Sequence, residues 1–221
     1  MRRGAANAVT FALAAVWVGG LFGSAGTLRW PAAWAYVALV GAGVLAHGAY
    51  VARRNPALVA RRRTIGPGTK GWDKAWLAVF WLLMVLCPAV AGLDLRHGGP
   101  AMPAWLWPAG AAAFAAGLSV SAWAMGANPH FEGTVRIQED HRVVDTGPYR
   151  WLRHPGYLGL VLWALSTPLL LLSWWGLVPA ALTAAWVVVR TALEDRFLRS
   201  ELPGYEGYAA RVRWRLVPGV W

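Results

Sequence analysis

The polar and apolar positions of this chain are sorted into long blocks. Stretches 4–28, 30–52, 75–93, 98–131 and 154–189 contain no Asp, Glu, Lys or Arg. A helix crossing a hydrocarbon core of about 30 Å needs about 20 apolar residues. The first three stretches each fit one crossing, and the fourth fits one crossing plus a loop. The last fits two short segments that turn near Ser173-Trp174-Trp175-Gly176. The alternating ten-residue segments of a membrane barrel are not found. The pattern therefore predicts an all-α integral membrane bundle of five or six transmembrane helices, the last two forming a short helical hairpin.

Composition agrees, because only 14% of the 221 residues are charged and 57% are hydrophobic, whereas soluble domains carry nearer a quarter charged. Charge placement gives orientation. Alternating the loops across the bilayer groups Arg2 and Arg3, the 53–74 loop, the 127–153 segment and the tail from Arg190 on one side. That side holds all but Arg29 and Arg96 of the 21 Lys and Arg, so it is expected to be cytoplasmic. The +11 net charge is then a topology signal that also favours contact with membrane lipids. Nucleic acid is not expected as a partner, since no basic stripe interleaves with an exposed aromatic platform. Arg2-Arg3 with Gly23-Ser24-Ala25 also fits a cleaved leader, but the uncharged run exceeds a signal core and reads as the first span. The Ala-, Arg-, Gly- and Trp-rich composition reads as a high-GC bacterial protein of the inner membrane.

Two regions follow. Residues 1–126 read as a transmembrane scaffold of four spans, with the basic cytoplasmic loop 53–74 as a solvated or lipid-facing connection. The Gly66-Pro67-Gly68 break precedes the third span, and Gly19 with Gly23 is spaced for close helix contact. Trp30, Trp34, Trp72, Trp76, Trp105, Trp107, Trp174 and Trp175 sit near span ends as interfacial anchors. Cys87 is alone, so no intrachain disulfide can form.

Residues 127–221 differ: 128–154 are polar, the hairpin spans 154–192, and a polar tail follows. The chain returns to the membrane through Gly147-Pro148-Tyr149, then Arg153-His154-Pro155-Gly156-Tyr157-Leu158-Gly159. Arg190 and Glu194 are four apart, so a helix puts them on one face just beyond the apolar run. Placement alone predicts a pocket at the cytoplasmic face lined by Tyr149, His154, Tyr157, Arg190 and Glu194. It would take a polar ligand from the cytosol and an apolar one from the bilayer. Blander readings exist: an interfacial ion pair for Arg190–Glu194, a turn cap for His154, and tail packing for Tyr205 and Tyr208. The spacings of His130, His141 and His154 do not make a metal site.

The 141–159 segment, Arg190-x-x-x-Glu194 and the Tyr205, Tyr208 and Pro218 tail resemble the isoprenylcysteine carboxyl methyltransferase family. Phospholipid methyltransferases are more distant relatives. The likeness covers roughly the last ninety residues and is looser around 56–63 and 71–73. It implies that 127–221 is the catalytic region, binding S-adenosylmethionine as methyl donor without a Rossmann fold. By the family pattern, His141, Arg142, Val143, Val144, Tyr149, His154, Pro155, Gly156, Tyr157 and Glu194 would hold the donor, with Gln138 assigned as a further donor contact upstream of His141. Arg190 would bind the acceptor, and Arg190, Glu194, His154 and Tyr157 would be catalytic. Asp195 departs from the family, which often pairs two Glu after the Arg; Gln138 has no firm family counterpart.

Such a reaction suits these residue types. A carboxylate acceptor is already ionised near neutral pH, and an arginine orients it through paired N–H donors. A thiol or amine would instead need deprotonation, with His154 or Tyr157 assisting. The acceptor is expected to be lipophilic or small, with thiol S- and lipid N-methylation as rivals. Outside that chemistry stand a nicotinamide-dependent membrane reductase and a non-catalytic transporter or assembly protein. The last is disfavoured because span interiors lack ionisable residues.

Overall fold

The computed structural model describes residues 3–62, 70–138 and 140–221, and the side chains of 3–11 and 13 are not described. Arg2, Arg63, the Gly66-Pro67-Gly68 break and Glu139 lie outside the described residues. The chain is a helical membrane bundle: α1 (Arg3–Ala25), α2 (Pro31–Arg54), α3 (Pro56–Arg61), α4 (Gly71–Arg96), α5 (Leu106–Ala127), α6 (Pro155–Leu171), α7 (Leu177–Glu201) and α8 (Tyr205–Arg211). Among the described residues, α2, α4, α5 and α7 are long and apolar enough to cross a membrane, and 14–25 and α6 are shorter apolar helices.

Proline and asparagine set the boundaries. Pro31, Pro56 and Pro155 occupy first-turn positions, where the missing N–H is not needed. Asn55 ends α2 and caps α3, its side chain accepting from the Leu58 amide at 3.3 Å. The hairpin of α6 and α7 turns through 172–176, as the sequence predicted. Leu172 takes φ 55° there, and the Ser173 hydroxyl accepts from the Gly176 amide at 3.0 Å. Its arms are unequal: α6 has 17 residues and α7 has 25. The charge-free run stops at Val189 but the helix does not, because its polar last turns are held by the segments packed around them.

Close helix contact is not made by Gly19 and Gly23, which face open space. It is made by Gly117 of α5 against Gly159 of α6: a Cβ on Gly159 would meet the Gly117 carbonyl at 2.6 Å. Backbones approach this closely only where no side chain intervenes. The core of α1, α2, α4 and α5 gathers Leu21, Phe22, Trp30, Tyr36, Ala91 and Phe114.

The bundle has two unlike ends. At one, the 26–30, 97–105 and 172–176 turns meet; Asp94 accepts from the Ser173 hydroxyl at 2.5 Å, and Ala101 bridges to Ser173. At the other end lie α3, the 128–154 segment, the last turns of α7 and the tail. The 53–62 stretch is not a free loop there, because its polar groups close onto the 128–138 segment. Asn55 donates to the Met125 and Asn128 carbonyls at 2.9 and 3.0 Å. Arg61 reaches Gln138 Oε1 at 3.0 Å, and Arg62 reaches the Phe131 carbonyl at 3.1 Å.

Candidate active site

The polar end is assembled around the start of α6. Gly147 takes φ 59°, a conformation that favours glycine, and opens a 3₁₀ turn over Gly147–Arg150 that buries Tyr149. The amides of Arg153 and His154 then donate to the Trp214 and Arg215 carbonyls at 2.9 and 3.0 Å. Tyr208 Oη donates to the Tyr149 carbonyl at 2.8 Å. The tail therefore braces the Arg-His-Pro lead into the membrane, which is why Tyr205 and Tyr208 are buried.

Asp195 is the hub of that brace. It is 1% exposed and receives Tyr205 Oη at 3.0 Å, Arg215 Nε at 3.0 Å, Arg199 Nε at 3.3 Å and His154 Nε2 at 3.4 Å. Arg153 Nε lies 3.2 Å from it. Burial first, then the Asp195 charge, pushes the Tyr205 phenol well above its ordinary range.

Glu194, one residue earlier, turns the other way. Tyr157 Oη donates to its Oε2, while His154 Nδ1 and Arg190 Nε each stand 3.9 Å away. Arg190 is 3% exposed, lies over the Trp76 ring at 4.2 Å, and bonds to Asp73 through Nη2 at 3.0 Å.

Two cavities meet here. A polar one is lined by His130, His141, Arg142, Val143, Val144, Tyr149, His154, Gly156, Tyr157, Glu194 and Tyr205, among others. An apolar one of about 500 Å³ runs into the bundle past His47, Trp76, Phe80, Met84, Leu118, Leu160 and Trp163, with Arg190 at its wall. Phe131, Glu132, Thr134, Gly156 and Tyr157 line both, so one partition separates a polar from an apolar chamber. Burial and the neighbouring His130 push the His141 imidazole down to about 4; burial raises the Tyr149 phenol.

The sequence-predicted residues are mostly brought together. His141, Arg142, Val143, Val144, Tyr149, His154, Gly156, Tyr157 and Glu194 share the polar cavity, and Arg190 lines the apolar one. Gln138 and Pro155 line neither. Gln138 is turned to Arg61 and to the His130 carbonyl, which accepts at 2.9 Å, and Pro155 is the first-turn residue of α6. Sequence reasoning missed Asp73, Arg62 and His130. It also took Trp76 for an interfacial anchor, whereas Trp76 is 3% exposed and Trp30 is 6% exposed. A lone acid opening an apolar span was the available signal for Asp73.

Residues 111–200 match the model of the isoprenylcysteine carboxyl methyltransferase (ICMT) family. This matched stretch holds all the predicted site residues and begins inside α5, earlier than the sequence reading placed it. Relatives named protein-S-isoprenylcysteine O-methyltransferase include one from Saccharomyces cerevisiae, 56% identical over 36 residues, or 16% of this chain and 15% of that protein. A protein named as a probable one from Oryza sativa subsp. indica is 33% identical over 91 residues, 37% and 45% of the two chains. One from Dictyostelium discoideum is 29% identical over 125 residues, 52% and 50%. The chain thus spans half or less of the length of these relatives. Its fold is similar to the solved eukaryotic intramembrane Ras methyltransferase ICMT, with TM-score 0.56 and 20% identity over 94% of this chain and 74% of that one. At that identity the similarity concerns the fold.

Proposed function

We propose that the chain is an integral membrane methyltransferase that uses S-adenosylmethionine and acts on a lipophilic carboxylate of the isoprenylcysteine type. Its polar end would face the cytoplasm, as the distribution of Lys and Arg favours, and a bacterial inner membrane would suit its composition. The observation that carries this reading is the partition of Phe131, Glu132, Thr134, Gly156 and Tyr157 shared by the polar and apolar cavities. Two ligands of opposite polarity would meet across it.

The polar cavity suits such a donor. The Glu194 carboxylate and the rings of Tyr149, Tyr157 and Tyr205 favour a cation, whereas Glu132 is already taken by Arg136 at 2.7 and 2.8 Å. His130 Nε2 and His141 Nδ1 are buried there without hydrogen-bond partners. His141, Tyr149, His154, Tyr157 and Glu194 would hold the donor, which supplies an electrophilic methyl group. Tyr157 fixes the Glu194 carboxylate from the partition, and Arg190 orients the acceptor in the apolar cavity. Trp76, Phe80 and Leu160 exclude water, which strengthens both contacts. An ionised acceptor carboxylate needs no base, so the protein's task is positioning at about 3–3.5 Å.

Calorimetric titration of the detergent-purified protein with S-adenosylmethionine tests this, with Glu194→Ala and Tyr149→Ala alongside. Saturable binding by the wild type, lost in both variants, is the expected result. An N-blocked S-isoprenylcysteine, a long-chain thiol and an aminolipid should then be compared as acceptors, with the first methylated fastest. A folded wild type that binds no donor, with or without acceptor, overturns the reading.

A further inference from the structure

Asp73, in the first turn of α4, lies outside the 111–200 stretch that matches the family. It is fully buried, and a buried carboxylate persists only where cations and N–H groups compensate it. Its Oδ2 accepts from the Val135 amide at 2.7 Å, and its Oδ1 lies 3.0 Å from Arg190 Nη2. That same Nη2 donates to the Gly133 carbonyl at 3.0 Å. Asp73 therefore ties three things together: the scaffold helix, the guanidinium, and the 133–135 backbone beside the partition.

The geometry has a chemical consequence for Arg190. Nη2 donates to the Gly133 carbonyl, and the Asp73 carboxylate holds the same nitrogen by charge, as an ion pair at 3.0 Å. Nη2 is thus engaged by protein groups, whereas Nε is buried with no hydrogen-bond partner among the described residues. Trp76 under the guanidinium at 4.2 Å blocks one face. Glu194 stands 3.9 Å from Nε, so releasing Nη2 would let Arg190 swing toward Glu194 and away from the acceptor cavity.

We propose that Asp73 is the positioning residue for Arg190, holding the guanidinium in the orientation that meets the methyl acceptor. This rests on the methyltransferase reading above. By this assignment the first half of the chain is more than scaffold, since it sets acceptor recognition through one buried ion pair while leaving the donor cavity to 128–208.

The test uses the full chain in detergent or nanodiscs as wild type, Asp73→Asn, Arg190→Gln and the double variant. Donor affinity is measured calorimetrically, and kcat and KM are measured with an N-blocked S-isoprenylcysteine. Asp73→Asn keeps an acceptor for the Val135 amide. It should raise the acceptor KM at least about tenfold while the donor Kd stays within about threefold. The double variant should be no worse than Arg190→Gln, because residues acting through one another are not additive. Should Asp73→Asn not fold, Asp73→Glu, which pushes Arg190 aside while keeping the charge, must show the same split between KM and donor Kd. Unchanged acceptor kinetics, multiplying effects in the double variant, or equal loss of donor and acceptor binding each overturn the assignment. A wild type that binds no donor sinks the methyltransferase reading and this proposal with it, whereas an active wild type isolates the failure to Asp73.

Discussion

The two sides of α7 near its end hold adjacent acids in unlike settings. Asp195 faces the tail and accepts from Tyr205, Arg215, Arg199 and His154 within 3.4 Å, with Arg153 Nε paired to it by charge at 3.2 Å. Glu194 faces the cavities with a side chain 21% exposed; among the described residues it has one donor in Tyr157 and cationic partners no nearer than 3.9 Å. A carboxylate saturated on every lone pair can only hold structure. One left undersaturated keeps capacity for a ligand, and a cationic one fits best. The adjacent acids therefore divide: Asp195 closes the fold over the cavity, and Glu194 keeps lone pairs facing it.

The strongest way to break that comparison is to remove the saturated member. Asp195→Ala strips the compensation from Arg153, which is 5% exposed, and leaves a buried uncompensated charge. The expected cost is about 3–5 kcal/mol, read by denaturant or thermal unfolding in detergent, with the tail becoming susceptible to protease. Glu194→Gln should cost under about 1 kcal/mol, because the cationic partners stand 3.9 Å away and glutamine still accepts from Tyr157. Equal melting of the two variants would show that the acids are not divided in this way.

A smaller effect sharpens the functional side. Tyr157→Phe removes the close donor that Glu194 has among the described residues, while keeping the ring that stacks on His154. Hydrogen bonds to charged groups contribute about 1.5–3 kcal/mol, so donor affinity should fall at least about tenfold. Stability should barely move, because Glu194 can be rehydrated from the cavity. Calorimetry and a melt on one preparation check both; a large loss of stability with intact donor binding would reverse the roles assigned to Glu194 and Asp195.

The bundle and most of the polar cavity were legible because they rest on local signals. Charge-free runs of span length, Pro at first turns, and the dense motif of residues 147–159 each speak through neighbours in sequence. The rest depended on distant pairing. Asp73 and Arg190 come from helices far apart in the chain, and nothing around Asp73 announces its partner. Trp76 looked like an anchor because span ends usually place Trp at the interface, yet it is stacked under Arg190 and exchanges indole hydrogen bonds with Trp186 at 2.9 and 3.2 Å. Arg61 and Arg62 are exposed, as the solvated reading expects, but they also donate to carbonyls of the 129–131 turn, which no local signal announces. Gln138 failed for the opposite reason: Arg61 and His130 satisfy it away from the cavity.

The smallest effect concerns His141, which lines the same cavity as Glu194 but on the loop side. Burial, and then the neighbouring His130, lower its folded pKa to about 4, while the Glu194 and Glu132 charges oppose the shift without reversing it. The ordinary value is about 6.5. Above 6.5 both folded and unfolded imidazoles are neutral, and His141 adds no pH dependence. Between 6.5 and about 4 the unfolded chain binds a proton that the folded one refuses, so stability falls as pH falls. The slope for one full proton is at most about 1.4 kcal/mol per pH unit, and water screening of this half-buried ring makes it less. Melting temperatures of wild type and His141→Asn from pH 7.5 to 5 should therefore converge as the pH drops, with the wild type losing more. Parallel curves would mean that His141 is as open to protons as it is in the unfolded chain. The polar cavity would then be wetter on its loop side than the Glu194 face requires.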